Sequence, residues 1–129
     1  MKKNYLLLLL ASAVYAEPEL YFIEPKNNDV ITERTFKVQF GLEGFGIAPA
    51  GYDIPNTGHH HLLIDTFIPE DLTKPIPANK NHIHFGLGQT ETTITLEPGE
   101  HSLRLVLGNY LHVPHTEPII SEEINILVL

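Results

Sequence analysis

Short segments in which apolar and polar residues alternate recur along the chain, with glycine and proline between them. The clearest is 35–42, where Phe36, Val38 and Phe40 share one face and Lys37 lies on the other. A period of two residues is typical of a strand with one buried and one wet face. Because no segment keeps a helical period for long, the pattern predicts an all-β protein.

The predicted strands are short and closely spaced, at 20–24, 35–42, 59–65, 82–85, 92–96, 102–107 and 121–129. Between 92–96 and 102–107 lies the tight-turn sequence Glu97-Pro98-Gly99-Glu100, which predicts a β-hairpin. About seven or eight such strands predict an immunoglobulin-like antiparallel β-sandwich. A small β-barrel is the alternative.

A short basic head and an apolar run open the chain. Lys2 and Lys3 precede the apolar residues 6–14, and the small residue Ala16 follows. This is the pattern of a cleavable secretory signal peptide. We expect 1–16 to be the signal peptide and 17–129 a single β-sandwich domain, with cleavage after Ala13 as the alternative. The run is shorter than the roughly 20 residues that a spanning helix needs, so we predict a periplasmic or secreted protein without a membrane span.

The amino-acid composition excludes sulfur-based sites and argues against a nucleic-acid partner. The chain has no cysteine and one methionine, Met1, which leaves with the predicted signal peptide. Disulfides, thiolate metal sites and thioether copper(I) sites are therefore excluded from the mature protein. Cleavage also removes Lys2 and Lys3, so that six basic residues remain against sixteen acidic ones and the formal charge becomes −10. Such a charge argues against a nucleic-acid partner.

Two His-x-His steps stand on consecutive predicted strands, His59 with His61 and His82 with His84. Alternate side chains on a strand share a face, so each step places two imidazoles side by side. If the strands pair, four rings approach one point, and imidazole nitrogen is a common zinc and copper ligand. We therefore predict a copper(II) or zinc site on these four histidines. It is expected on the sheet face away from the main core, or in a cleft covered by the Gly-rich loop 43–58.

Four further polar residues are candidates near this patch. Asp65 lies on the predicted histidine face, where it suits an acceptor that orients a ligand ring. Glu91 is given the same role, with a solvated carboxylate as the favoured alternative. His112 and His115 lie in a loop with Pro114 between them and serve either as extra ligands or as loop anchors, and we favour anchors.

Two histidines are expected outside the metal patch. His60 shares a face with Leu62, which predicts a hydrogen-bonded structural residue at the core edge. His101 shares a face with Leu103 and Leu105 and is expected to cap the core.

Several motifs together resemble a family of small exported bacterial domains catalogued as domain of unknown function 4399. They cover nearly the whole mature chain and lie at 40–42, 46–51, 58–65, 82–91, 96–101, 107–108 and 112–115. The resemblance implies a compact exported β-domain. It implies no activity and no cofactor for particular residues.

Three classes of function are consistent with these observations. The leading hypothesis is a domain that binds a divalent metal ion. The second is a metal-free recognition or structural module of the cell envelope, in which the histidines order the loops; its protein or glycan partner is not specified by the sequence. The third is a small metal enzyme, dismutase-like or hydrolytic, which is less favoured because only Asp65, Glu91 or a loop histidine is at hand for proton transfer.

Overall fold

The structure is a computed structural model that describes residues 1–9 and 16–129. Residues 10–14 of the predicted signal-peptide core, and the alternative cleavage position at Ala13, lie outside the described residues. In the two described stretches, no helix has the length and apolar character needed to cross a lipid bilayer.

The described residues form nine strands, and all of their regular secondary structure is strand, which confirms the all-β prediction. The strands are β1 (Glu19–Glu24), β2 (Val30–Ile31), β3 (Thr35–Glu43), β4 (Gly46–Ile47), β5 (Thr57–Ile64), β6 (His82–His84), β7 (Glu91–Thr95), β8 (Gly99–Gly108) and β9 (Ile124–Val128).

The strands form two sheets that remain separate, as predicted for a sandwich rather than a closed barrel. One sheet has the order β1-β3-β7, and the other has the order β2-β9-β8-β5-β4 with β6 also paired to β5. This order follows the immunoglobulin arrangement, in which strands A, B, E and D face strands C, F and G, except that no strand of the described residues takes the place of D. The second sheet is mixed, because β2 pairs with β9 and β4 with β5 in parallel, whereas we expected antiparallel pairing throughout.

The core lies between the sheets and follows from the alternating pattern. Val38 and Phe40 of β3 face Leu62 of β5 and Leu105 of β8, and all four are at most 3% exposed. Each fully buried aliphatic side chain stabilises the fold by roughly 1.5–3 kcal/mol. Without disulfides, this core is the main source of stability.

The predicted hairpin between strands 92–96 and 102–107 is wrong. Strand β7 pairs with β3, while β8 pairs with β5 and β9, so the turn crosses from one sheet to the other. Gly99 (φ 134°) already pairs with Val128 on the far side of the turn. A Pro-Gly turn and two one-sided strands suit a hairpin and a crossover equally well, because both direct the apolar faces toward a core.

Strand β5 is buried along both faces, and this positions the site. Leu62 and Ile64 face the main core, whereas Leu63, on the opposite face, packs with Ile76 and Val106 in a second apolar cluster. Loop residues from 65–81 and 109–123 cover this second face. The histidines of β5 are therefore enclosed by protein on both sides of the sheet.

Candidate metal centre

Four imidazoles converge on the outer face of the second sheet. His59 and His61 lie on β5, His84 lies on β6, and His112 lies on the loop 109–113. Each offers one ring nitrogen, and these four nitrogens all lie within 4.8 Å of one another. We call this group the four-histidine cluster.

Strand register explains why three of these rings meet. Strands β5 and β6 pair antiparallel, with His61 directly opposite His84. His59 is two residues from His61 on the same face, and the centroids of their rings are 4.7 Å apart. The pairing of two His-x-His strands thus brings together three imidazoles, as the alternation predicted.

Glycines give the rings room to approach the backbone. A Cβ atom at Gly108 would lie 2.6 Å from Cε1 of His61 and 3.3 Å from the Cα of His112. A Cβ atom at Gly86 would overlap the ring of His84. The absence of a side chain at both positions is therefore a condition for the observed convergence.

The electrostatics of the buried pair favour neutral rings. His59 is 0% exposed and His61 is 1% exposed. Burial, followed by the charges that neighbouring histidines would carry, lowers the pKa of His59 to about 4 and the pKa of His61 to about 3. Burial also lowers the pKa of His84. At neutral pH these imidazoles have a lone pair available, which is the form that binds metal ions.

The buried rings are also short of hydrogen bonds. Among the described residues, Nδ1 of His59 and both ring nitrogens of His61 have no partner. Within the cluster, Nε2 of His59 and Nδ1 of His112 form a hydrogen bond at a distance of 3.0 Å. A buried polar group without a partner costs roughly 1–3 kcal/mol, so the cluster offers nitrogens that a ligand would satisfy.

The dimensions suit one transition-metal ion after a small contraction. In a tetrahedral zinc site with Zn–N bonds of about 2.0–2.1 Å, ligand nitrogens are about 3.3 Å apart. The His59–His112 separation of 3.0 Å is already of this size, whereas the widest separation in the cluster is up to 4.8 Å. His84 is exposed and His112 is partly exposed, so these two rings have the freedom to move inward.

The fourth predicted ligand, His82, lies apart from the cluster. It stands opposite Leu63 in the β5–β6 register, one step beyond the His61–His84 pair and on the side away from His59. Its Nδ1 is 2.8 Å from Oδ1 of Asn79. The structure therefore brings together three of the four predicted ligands and adds His112 to them.

The two loop histidines have different surroundings, although we favoured an anchoring role for both. The ring of His112 lies 4.5 Å from that of His84 and 5.0 Å from that of His59, centroid to centroid. His115 donates from Nε2 to the carbonyl oxygen of Thr57 (3.0 Å) and packs edge-on against Phe45. His115 is thus placed as an anchor, and His112 is placed among the candidate ligands.

The loop 43–58 borders the cluster, whereas one of our two predicted placements had it covering the histidines. The Ala50 amide donates to the carbonyl of Gly86 (2.8 Å), two residues after His84. The ring that approaches the buried pair belongs to His112, so the loop 109–113 takes the covering position.

Neither predicted carboxylate orients a ring of the cluster. Asp65 accepts hydrogen bonds from Nδ1 of His101 (2.6 Å) and from the Ser102 amide (2.9 Å). Glu91 pairs with Nζ of Lys37 (3.0 Å) on the other sheet. Both side chains therefore act in surface ion pairs.

His60 lies in the main core, against the ring of Phe40 at a centroid distance of 4.9 Å. We expected a hydrogen-bonded residue, but within the described part of the chain neither of its ring nitrogens has a partner. Burial lowers its pKa to about 4, so the ring behaves as a neutral core side chain.

Comparison with known proteins supports the resemblance found in the sequence. The family model described as Domain of unknown function (DUF4399) matches residues 38–129. No curated protein and no solved structure matches the chain. The match includes all four histidines of the cluster.

Proposed function

Starting from the fact that this chain belongs to the DUF4399 family, we propose that it is an exported domain that binds one divalent copper or zinc ion. The ligands in this proposal are His59, His61, His84 and His112. The observation that carries it is the approach of four ring nitrogens to within 4.8 Å of one another, with two of the four rings buried.

Several properties of the cluster support a bound ion. Two of the rings are fully buried, and the lowered pKa of each keeps it neutral at pH 7. Metal coordination would also satisfy the ring nitrogens of His61, which have no hydrogen-bond partner within the described residues. Three or four preplaced imidazoles also avoid the entropy cost of collecting ligands from flexible segments.

The donor set indicates the class of ion. Neutral imidazole suits zinc and copper(II), and at equal availability such a site binds copper(II) more tightly than zinc. The acidic surface of the protein, with a formal charge of −8 for the full chain, also raises the local concentration of cations.

Binding, rather than catalysis, is the proposed role. Asp65 and Glu91, the carboxylates considered for proton transfer, form pairs away from the cluster. Metal storage, carriage or sensing in the periplasm or outside the cell would fit a small domain with such a site. The basic head and apolar run at the N-terminus support export, and the mature protein is proposed to begin at Glu17.

Equilibrium dialysis followed by elemental analysis tests the proposal. We expect about one copper or zinc ion per chain at neutral pH, and loss of binding when His59→Ala and His61→Ala are combined. His82→Ala is the matched control, because His82 shares strand β6 with His84 but contacts Asn79. A protein that takes up no ion, or a double variant that binds as well as the wild type, would overturn the proposal.

Cell fractionation and mass spectrometry test export. A mature chain that starts at Glu17 in the periplasm or the medium is expected. Retention of the full-length chain in the cytoplasm would contradict that part of the proposal.

A further inference from the structure

His112 is the one member of the four-histidine cluster that lies outside a strand. The loop that carries it, 109–113, is closed by a bridge between Gly108 and Pro114. The position of this ring depends on the loop conformation, whereas the sheet register fixes the backbone positions of the other three histidines.

The backbone of His112 adopts an unusual conformation. Its φ is +66°, in the left-handed region that a residue with a Cβ atom rarely occupies. Such a conformation costs free energy and persists when surrounding contacts determine it.

Asn109 supplies most of those contacts. Its side-chain Oδ1 accepts hydrogen bonds from the amides of Leu111 (2.8 Å) and Val113 (3.1 Å), the residues on either side of His112. Its backbone carbonyl accepts from the His112 amide (2.9 Å), and its own amide donates to the Val113 carbonyl (2.8 Å). One residue thus holds His112 from both sides.

Contacts that do not involve Asn109 attach the same loop to the rest of the fold. The Ile76 amide donates to the carbonyl of His112 (2.8 Å), and the Gly51 amide donates to the carbonyl of Tyr110 (3.0 Å). Because these bonds would remain, removal of the Asn109 side chain should change the local conformation without detaching the loop.

From this geometry we infer that Asn109 is a positioning residue that sets His112 as the fourth nitrogen ligand. The inference rests on the proposed function. With Asn109 the site presents four imidazoles; without its side-chain oxygen, His59, His61 and His84 remain as a three-nitrogen site. Residues that orient ligands typically change metal affinity by roughly 10–100-fold when they are mutated.

Copper(II) titration of the full chain, with electron paramagnetic resonance to count nitrogen ligands, tests this inference. Asn109→Ala is expected to weaken copper(II) binding by about tenfold or more and to reduce the number of coordinated nitrogens. Asn109→Asp is the matched control, since a carboxylate oxygen accepts the same two amide hydrogen bonds. It is expected to restore the wild-type affinity and spectrum.

A double-mutant cycle separates positioning from general stabilisation. In a His112→Ala background, Asn109→Ala is expected to have no further effect on affinity, because its effect acts through the lost ring. An equal loss in both backgrounds would overturn the inference, as would wild-type affinity and spectrum for Asn109→Ala alone.

A measurement on the metal-free protein distinguishes failure of this inference from failure of the proposed function. The rings of His59 and His112 are 5.0 Å apart between centroids, close enough for a proton–proton contact in nuclear magnetic resonance spectra. The contact is expected in the wild type and in Asn109→Asp, and its loss is expected in Asn109→Ala. A contact that persists in Asn109→Ala would overturn the positioning role, whereas a wild-type protein that binds no copper would overturn the proposed function.

Discussion

Two histidine environments on the same sheet show how hydrogen bonding decides what an imidazole does. His101 on β8 uses both ring nitrogens, Nδ1 toward Asp65 (2.6 Å) and Nε2 toward the carbonyl of Glu97 (2.7 Å). Burial lowers its pKa, but these two hydrogen bonds and the charge of Asp65 outweigh burial and raise the pKa above its ordinary value. His61, in contrast, is buried with a pKa of about 3, and within the described ranges its nitrogens have no partners.

The two sites stabilise the protein under opposite conditions. A histidine whose two ring nitrogens both face acceptors is stabilised in its protonated form, so the His101–Asp65 pair stabilises the fold when His101 is charged. A buried histidine without acceptors is stabilised instead when a ligand binds its ring nitrogens. The number of histidines in this chain is therefore less informative than the partners of each one.

The largest expected difference between the two environments is their response to metal. Zinc at a free concentration about a thousand times its dissociation constant should raise the free energy of unfolding by about 4 kcal/mol. Urea denaturation with and without zinc measures this increase. It should disappear when His59→Ala and His61→Ala are combined, and it should remain in Asp65→Asn. Loss of the increase in Asp65→Asn, with the increase kept in the double variant, would show that the metal binds at the His101–Asp65 pair instead.

Acid should destabilise the metal-free protein through the three buried histidines of β5. His59 and His60 have folded-state pKa values of about 4 and His61 has a value of about 3, against an ordinary value of 6.5. The unfolded chain therefore binds more protons, so that stability present above pH 6.5 is lost as the pH falls toward 4. The slope should approach about 1.4 kcal/mol per pH unit for each histidine.

Urea denaturation of the metal-free protein between pH 7 and pH 4.5 checks this slope. In His61→Leu, the change in the free energy of unfolding per pH unit is expected to be smaller by the contribution of one histidine. An unchanged slope in that variant would mean that His61 is not kept neutral by the fold.

A side chain at Gly108 should displace the ring of His61 and so disturb the four-histidine cluster. The Cβ of Gly108→Ala would lie 2.6 Å from the His61 ring, which forces a shift that typically costs about 1–3 kcal/mol. Weaker zinc binding is expected together with the lower stability. Gly46→Ala is the control, since its Cβ would meet the Thr57 methyl group at 3.1 Å, away from the cluster. Equal effects of the two variants on zinc binding would contradict the role given to Gly108.

The smallest expected effect on stability comes from breaking the ion pair between His101 and Asp65. Asp65→Asn keeps the side-chain shape and tolerates the left-handed backbone at this position (φ 52°), but it removes the charge. Because the Asp65 side chain is 40% exposed, solvent screening limits the loss of stability to about 1 kcal/mol. Because the pKa of His101 is raised in the folded protein, the stability difference between wild type and Asp65→Asn should be complete below about pH 6.5. It should fade as the pH rises through the folded-state pKa of His101.

Chemical denaturation of Asp65→Asn and wild type at pH 6 and pH 9 checks this sign. Metal binding at neutral pH should be unchanged in the variant. A larger difference in stability at pH 9 than at pH 6 would contradict the assignment.

The parts of the fold that follow from local alternation were predictable. The pattern around Val38 and Phe40 predicted a one-sided strand, and the alternation of His59 with His61 placed both rings on the same face. The turn at Glu97–Glu100 was misread as a hairpin, because a turn sequence does not tell which sheet receives the next strand.

The composition of the site was harder to predict, because it depends on register and on a loop. His82 and His84 look equivalent in the sequence, and only the pairing of His61 with His84 separates them. The contribution of His112 depends on the left-handed conformation held by Asn109, which no periodic pattern reports. An Asn followed three residues later by a loop histidine was the available local signal, and it is weak.

Anomalous diffraction from crystals soaked with zinc or copper is the decisive experiment for metal binding at the four-histidine cluster. One strong peak per chain is expected, surrounded by nitrogens of His59, His61, His84 and His112 at about 2.0–2.1 Å. A strong peak at His82, His101 or His115 with the cluster empty, or a fully soaked crystal without a peak at these four histidines, would contradict it.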